Sequence, residues 1–208
     1  MKDNLLLLLA LVAGVFVGLN GWAPAILLQQ QLPAIILGIL IFQVGLGLGS
    51  MDDLKQLLRQ FHWQMLLLPL FTIVGTLLFS LLAVVFIHPQ HINDLLAVGS
   101  GFGYYSLSSV LINQLKSAVY GKVLASQLAA VALLTNVIRE LLALFGCKYI
   151  THKGGSYAAI SVAGINSMDV CLPSIMNAAG SKSILPVAVF HGLVLEISVP
   201  MLISFFCS

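Results

Sequence analysis

The alternation of apolar runs and polar breaks divides the chain into membrane-length pieces. From Asn4 to Met51 no Asp, Glu, Lys or Arg interrupts it. That stretch is too long for one span, and it breaks at Asn20–Pro24 and again at Gln29–Pro33. The pattern predicts a first span over 5–19, near the lower length limit for crossing a bilayer core of about 30 Å, and a second over 34–50. Lys2, the apolar run and Ala23-Pro24-Ala25 also fit a signal peptide, although Asp3 cancels the charge that Lys2 would supply. A polar loop over 52–59 follows, then a span over 63–87 opened by Trp63, with Pro69 and Gly75 permitting a bend. Further full spans are expected over 123–147 and 184–206.

Two other segments are apolar at both ends and broken in the middle. In 95–115 the centre is Gly99-Ser100-Gly101-Phe102-Gly103-Tyr104-Tyr105-Ser106. In 157–179 it is Gly164-Ile165-Asn166-Ser167-Met168-Asp169, with Pro173 shortly after. Neither reads as a lipid-facing helix. Both read as two half-helices joined at membrane depth, where irregular backbone survives only if protein or a wet cavity satisfies it. The expected architecture is therefore an all-α integral membrane protein, a single domain over 1–208, with about five transmembrane helices and two discontinuous or re-entrant segments.

Composition agrees. Apolar types make up 60% of the 208 residues and charged types 8%, where a soluble domain carries about 25%. A net charge of +2 with no basic stripe excludes a nucleic-acid binder. The basic residues fall six to two across the predicted membrane whether the broken segments cross it or fold back. That bias puts the N-terminus in the cytoplasm and chooses neither topology. Cys147, Cys171 and Cys207 show no paired spacing and read as small apolar packing groups. No metal or cofactor is expected.

Asp169 carries the strongest chemical signal, because a carboxylate at mid-segment costs several kcal/mol unless paired, solvated or protonated. It reads as a cation or proton site, with a helix cap as the bland alternative. Glu140 sits inside the 123–147 span, about 10 Å from its end. Adjacent Arg139 and Glu140 do not face each other on a helix, whereas Asn136 lies one turn before them. For Arg139 the alternative is a side chain snorkelling to the interface. Glu196 reads equally as a third membrane acid or as the partner of a bundle cation. His191 reads as a proton shuttle or as a packed neutral ring. Gly14/Gly18, Gly45/Gly49 and Gly99/Gly103 have the spacing of close helix contacts and say nothing of substrate. No P-loop, nucleophile elbow or H-E-x-x-H motif occurs, so neither ATP binding nor hydrolysis has support and no enzyme is expected.

Discontinuous segments with buried acids mark secondary transporters, and two carboxylates point to a cationic substrate, a coupling proton, or both. The rival class is a non-transporting membrane subunit or a pore-forming partner of another transporter.

Gly101-Phe102-Gly103-Tyr104-Tyr105-Ser106-Leu107-Ser108, then Arg139-Glu140-Leu141, Asn166-Ser167-Met168-Asp169 and His191-Gly192 resemble the bacterial lysine exporter family, most densely from Gly99 to Pro200. The resemblance implies an inner-membrane exporter of L-lysine or a similar cationic amino acid, with Glu140 and Asp169 matching the family's intramembrane acidic pair. It favours re-entrant segments and implies three further spans upstream, so that the chain resembles the C-terminal portion of a split exporter. A small three-span membrane subunit, or failing that a homo-oligomer, is the expected partner. Two departures stand out: the family carries an acid where this chain has Asn136, and Glu196 is not a family position. On this reading protons are the counter-ion. Asp169 and Glu140 bind substrate and proton, and Tyr105, Ser106, Ser108, Asn166 and Ser167 supply hydrogen bonds. Asn136, Arg139, His191 and Glu196 are accessory.

Overall fold

The computed structural model describes residues 63–86, 91–181 and 184–208, and before them residues 9, 13, 14, 16–21, 35, 39 and 42. Two compact units divide the chain, Met1–Ile39 and Leu40–Ser208. In the first, residues 9, 13, 14 and 16–19 are helical, and the Asn20 side-chain amide donates to the Phe16 carbonyl at 2.7 Å where the helix turns out. The expected spans over 5–19 and 34–50 and the loop over 52–59 lie largely outside the described residues.

Among the described residues the second unit is helical wherever it is regular. Helix α1 is Trp63–Leu82, extended by a 3₁₀ turn over Ala83–Val85. Helix α2 is Ile92–Gly99. The stretch Tyr105–Ala163 is helical but interrupted at Gly121 (φ 76°) and Gly155 (φ 80°). These left-handed glycines divide it into α3 (105–120), α4 (122–154) and α5 (156–163). A 3₁₀ turn over Gly164–Met168 leads to α6, Leu172–Ala179, and the chain ends in α7, Leu185–Cys207. The stretches Trp63–Val85, Tyr105–Met168 and Leu185–Cys207 are long and apolar enough to cross a membrane.

Side-chain contacts show where the chain reverses. Lys116 Nζ lies 3.1 Å from Asp94 Oδ1, and the Tyr120 hydroxyl donates to Asp94 Oδ2 at 2.7 Å. In one continuous helix residues 94 and 116 would be about 33 Å apart. So α2 and α3 lie antiparallel as a helical hairpin with its tip at Ser100–Tyr104. Ser126 donates to Asn113 across Gly121 at 3.4 Å, so α4 returns beside α3. Arg139 reaches the carbonyls of Ser161 and Val162, so α5 folds back along α4 from Gly155. Ala159, Ile160 and Ala163 of α5 and Ile175 of α6 share one buried cluster with Ala143 and Cys147 on the later half of α4. Helices α5 and α6 thus form a second hairpin, entering from the opposite end of α4. The two tips meet at its middle.

The sequence reading needs two corrections. The expected span over 123–147 continues to 154 without leaving helix, carrying Lys148 and Lys153 on its extension. Glu140 therefore lies about 21 Å from the helix end rather than 10 Å. The first break is also shorter than expected, since Tyr105 and Ser106 already belong to α3.

Candidate functional site

The tips are held by backbone. The Ile165 N–H donates to the Phe102 carbonyl at 3.0 Å, which ties one tip to the other. A Cβ on Gly164 would stand 2.1 Å from that carbonyl oxygen, and its φ of 64° is left-handed as well, so only glycine fits. Phe102 itself has φ 44° and is fully buried. Such a conformation costs about 1–2 kcal/mol in a residue with a side chain and persists where its surroundings hold it.

Mid-depth side chains of α4 serve both tips. The Gly103 N–H donates to Asn136 Oδ1 at 2.7 Å, and Asn136 Nδ2 donates to the Ala132 carbonyl at 2.8 Å and to Ser108 Oγ at 3.4 Å. One turn on, Arg139 donates through Nε to the Val162 carbonyl at 3.0 Å and through Nη2 to that of Ser161 at 2.9 Å. These are carbonyls of the last turn of α5, which a cation suits on both hydrogen-bonding and dipole grounds. The guanidinium carbon also lies 5.8 Å from the centre of the Phe102 ring.

Glu140, next to Arg139, is buried among different neighbours. Its carboxylate lies within electrostatic reach of the Asn166 side chain and of Asp169. Asp169 in turn repels Glu196, and the three carboxylates act on the hydroxyls of Tyr104 and Tyr105. So Glu140 from α4, Asp169 from the second tip, Glu196 from α7 and the tyrosine pair at the start of α3 form one electrostatic group. Asp169 is exposed at its edge, and its carboxylate accepts the Val170 N–H. Asn166 is 6% exposed, and its Nδ2 makes no hydrogen bond. Tyr105 and Ser106 are half-buried beside it at the N-terminus of α3.

Ser108 and Ser167 are placed differently from the expectation. Both are fully buried. The Ser108 hydroxyl donates to the Tyr105 carbonyl at 3.3 Å and accepts from Asn136. That of Ser167 donates to the Ala188 carbonyl at 2.9 Å and meets His191 Nδ1 at 3.2 Å. They hold the tips and have no free face for a ligand. His191, also fully buried, bridges Ser167 and Thr72 Oγ1, the latter at 3.0 Å from Nε2. Its packed reading fits this arrangement.

The sequence reading missed Thr72, Phe102 and the Asp94–Lys116–Tyr120 group. A lone threonine in an apolar span gives no signal. Phe102 stood between two glycines, which hints at unusual backbone. Asp94 and Lys116 flank the first break, a pairing visible only once a hairpin is assumed.

No solved structure matches the chain. The family model described as lysine exporter LysO matches residues 8–207. The chain is 32% identical over 207 residues to Escherichia coli (strain K12) "Lysine exporter LysO", covering 98% of this chain and 64% of that protein's length. It is 30% identical over 174 residues to a Haemophilus influenzae protein named "Putative lysine exporter", with 83% of each chain covered. With a family match over nearly its whole length and helices apolar enough to cross a membrane, this chain is an α-helical, multi-pass membrane protein belonging to the lysine exporter LysO family.

Proposed function

We propose that the protein exports L-lysine, or a similar cationic amino acid, across the bacterial inner membrane in exchange for protons. The observation that carries this reading is the contact of two half-helix tips at the middle of α4, with Asp169 of the second tip within electrostatic reach of both Glu140 and Glu196. On this reading both hairpins are re-entrant, entering from opposite faces, and the N-terminus is cytoplasmic. The names of the relatives support lysine as the substrate.

Moving Lys⁺ outward against an inside-negative potential costs about 2.3 kcal/mol per 100 mV. Exchanging one H⁺ inward for each Lys⁺ outward is electroneutral and removes that term. Carboxylates close enough to repel one another gain by holding a cation or a proton between them. Asp169, open at the edge of the group, exchanges the two. Glu140 is its buried partner, and Tyr105, Ser106 and Asn166 offer hydrogen bonds to the substrate. A small three-span subunit or a second copy completes the assembly in this proposal. An active, monodisperse monomer in mild detergent would remove that part.

The test is lysine efflux from preloaded proteoliposomes under an imposed pH gradient. Wild-type protein is expected to release lysine faster when protons can enter, and Asp169→Asn to lose that acceleration while remaining inserted. Undiminished pH-driven efflux in Asp169→Asn refutes the assignment. Efflux in wild type that ignores the pH gradient refutes proton exchange.

A further inference from the structure

Behind the tips, on the Arg139 side, lies a groove of about 610 Å³ between α1, α4 and α5. Thr72, Gly75, Thr76 and Phe79 of α1, Ser161 of α5 and Arg139 of α4 line it. The groove has room for an amino acid. A Cβ placed on Gly75 would touch nothing within 4 Å, so the groove is open there.

The charges at mid-depth are sorted. Among the described residues the ion pair is Lys116–Asp94, and Arg139 is not salt-bridged to any acid. Its Nε–H and one Nη2–H are taken by α5. A guanidinium has five donors in a planar fork, a shape that matches a carboxylate. No hydrogen bond within the protein engages Nη1 among the described residues. An amino-acid cation presents the matching problem. Its ammonium groups suit Glu140, Asp169 and Glu196, but its α-carboxylate is repelled by them and needs a cation elsewhere.

We propose that this groove, lined by Thr76 as well as Arg139, is a carboxylate-binding site in which the free edge of the Arg139 guanidinium receives the α-carboxylate of the transported amino acid. The proposal rests on the export reading above and adds to it a reason for selecting amino acids over diamines. The adjacency of residues 139 and 140 follows from it. Neighbours on a helix leave the axis about 100° apart, so one turn of α4 sends a cation into the groove and an acid into the carboxylate group. The bonds to Ser161 and Val162 fix the guanidinium plane, so the remaining donors are oriented before a ligand arrives.

Equilibrium binding to the purified full chain tests this with two probes: L-lysine, and 1,5-diaminopentane, which is lysine without its carboxylate. Wild type is expected to bind lysine at least about tenfold more tightly, the worth of a charge-assisted hydrogen bond. Gly75→Leu, at a position where an added Cβ meets nothing within 4 Å, projects a side chain into the groove and is expected to weaken lysine about tenfold while leaving the diamine within about twofold. Arg139→Lys keeps the charge but loses the fork, and is expected to shift lysine in the same direction. Because Arg139 also caps α5, Gly75→Leu is the deciding variant. Equal wild-type binding of the two probes overturns the carboxylate site and leaves cation export standing. Equal loss of both probes in Gly75→Leu, or no loss of either, also overturns it. Wild type that binds neither probe overturns the export reading together with this site.

Discussion

Two groups of charge differ in one respect, and the difference separates a scaffold contact from the proposed site. At the base of the first hairpin Asp94 and Lys116 form an ion pair, each side chain 7% exposed. Tyr120 donates to the same carboxylate, lies under Lys116 at 5.2 Å and stacks on His91. Every charge there is answered from within the hairpin. At the tips Asp169 is within electrostatic reach of both Glu140 and Glu196, and Arg139 answers carbonyls rather than an acid. Unanswered charge at membrane depth costs free energy, which is the ground for placing the proposed cation there. The first group needs nothing further and binds two legs of a hairpin together.

Breaking the tip group is expected to have the largest effect. Asp169→Asn keeps shape and hydrogen bonding but cannot exchange a charge, so pH-driven lysine efflux falls to the protein-free rate. Glu140→Gln does nearly the same, and the double variant is little worse than either, since groups that act together are non-additive. Melting temperatures of all three in detergent stay close to wild type. A large loss of thermal stability instead would place these acids in the scaffold.

Breaking the base group is expected to act on stability. Lys116→Met leaves Asp94 buried without its cation, at about 3–5 kcal/mol. The double variant Asp94→Asn with Lys116→Met removes both charges and recovers most of that loss. Thermal unfolding of the solubilised protein reads both. Equal stability of the single and double variants would mean the pair does not act as a unit.

Gly164→Ala tests the tip contact. The added methyl meets the Phe102 carbonyl at 2.1 Å in a left-handed backbone, so the tips must part. A loss of about 2–3 kcal/mol is expected, with lysine transport falling more than stability accounts for. Folded protein with normal transport would show that the tips need not touch.

The smallest effect is expected from Tyr120→Phe, which removes one hydrogen bond to a charged acceptor. About 1.5–3 kcal/mol of stability is at stake, and transport by the surviving protein is unchanged. A transport defect without a stability change would move the base group from scaffold to mechanism.

Much of this was legible in the residues. The ends of α1 and α7 followed from apolar runs of membrane length, and both helix breaks from the glycine, serine and asparagine content at their centres. Asp169, Glu140 and Glu196 stood out as candidates because ionisable groups are rare where the chain is otherwise apolar. The extension of α4 to residue 154 was missed because Lys148, His152 and Lys153 look like a loop. Polar residues are compatible with a helix that continues past the hydrocarbon.

What the sequence alone determined was local: which stretches are helical, where backbone must bend, and which ionisable side chains stand in apolar surroundings. Those follow from period, composition and desolvation, each read within a few residues. What only tertiary structure decided was who faces whom. The residues over 92–120 could run on or fold back, and the Asp94–Lys116 contact lays α2 against α3. Ser108 and Ser167 looked like ligand groups by type, and packing turned both hydroxyls inward. Arg139 and Glu140, neighbours in sequence, were sent to opposite tasks by the direction each leaves α4. Reversals at Gly121 and Gly155 bring together residues more than twenty positions apart, and no local pattern encodes that distance.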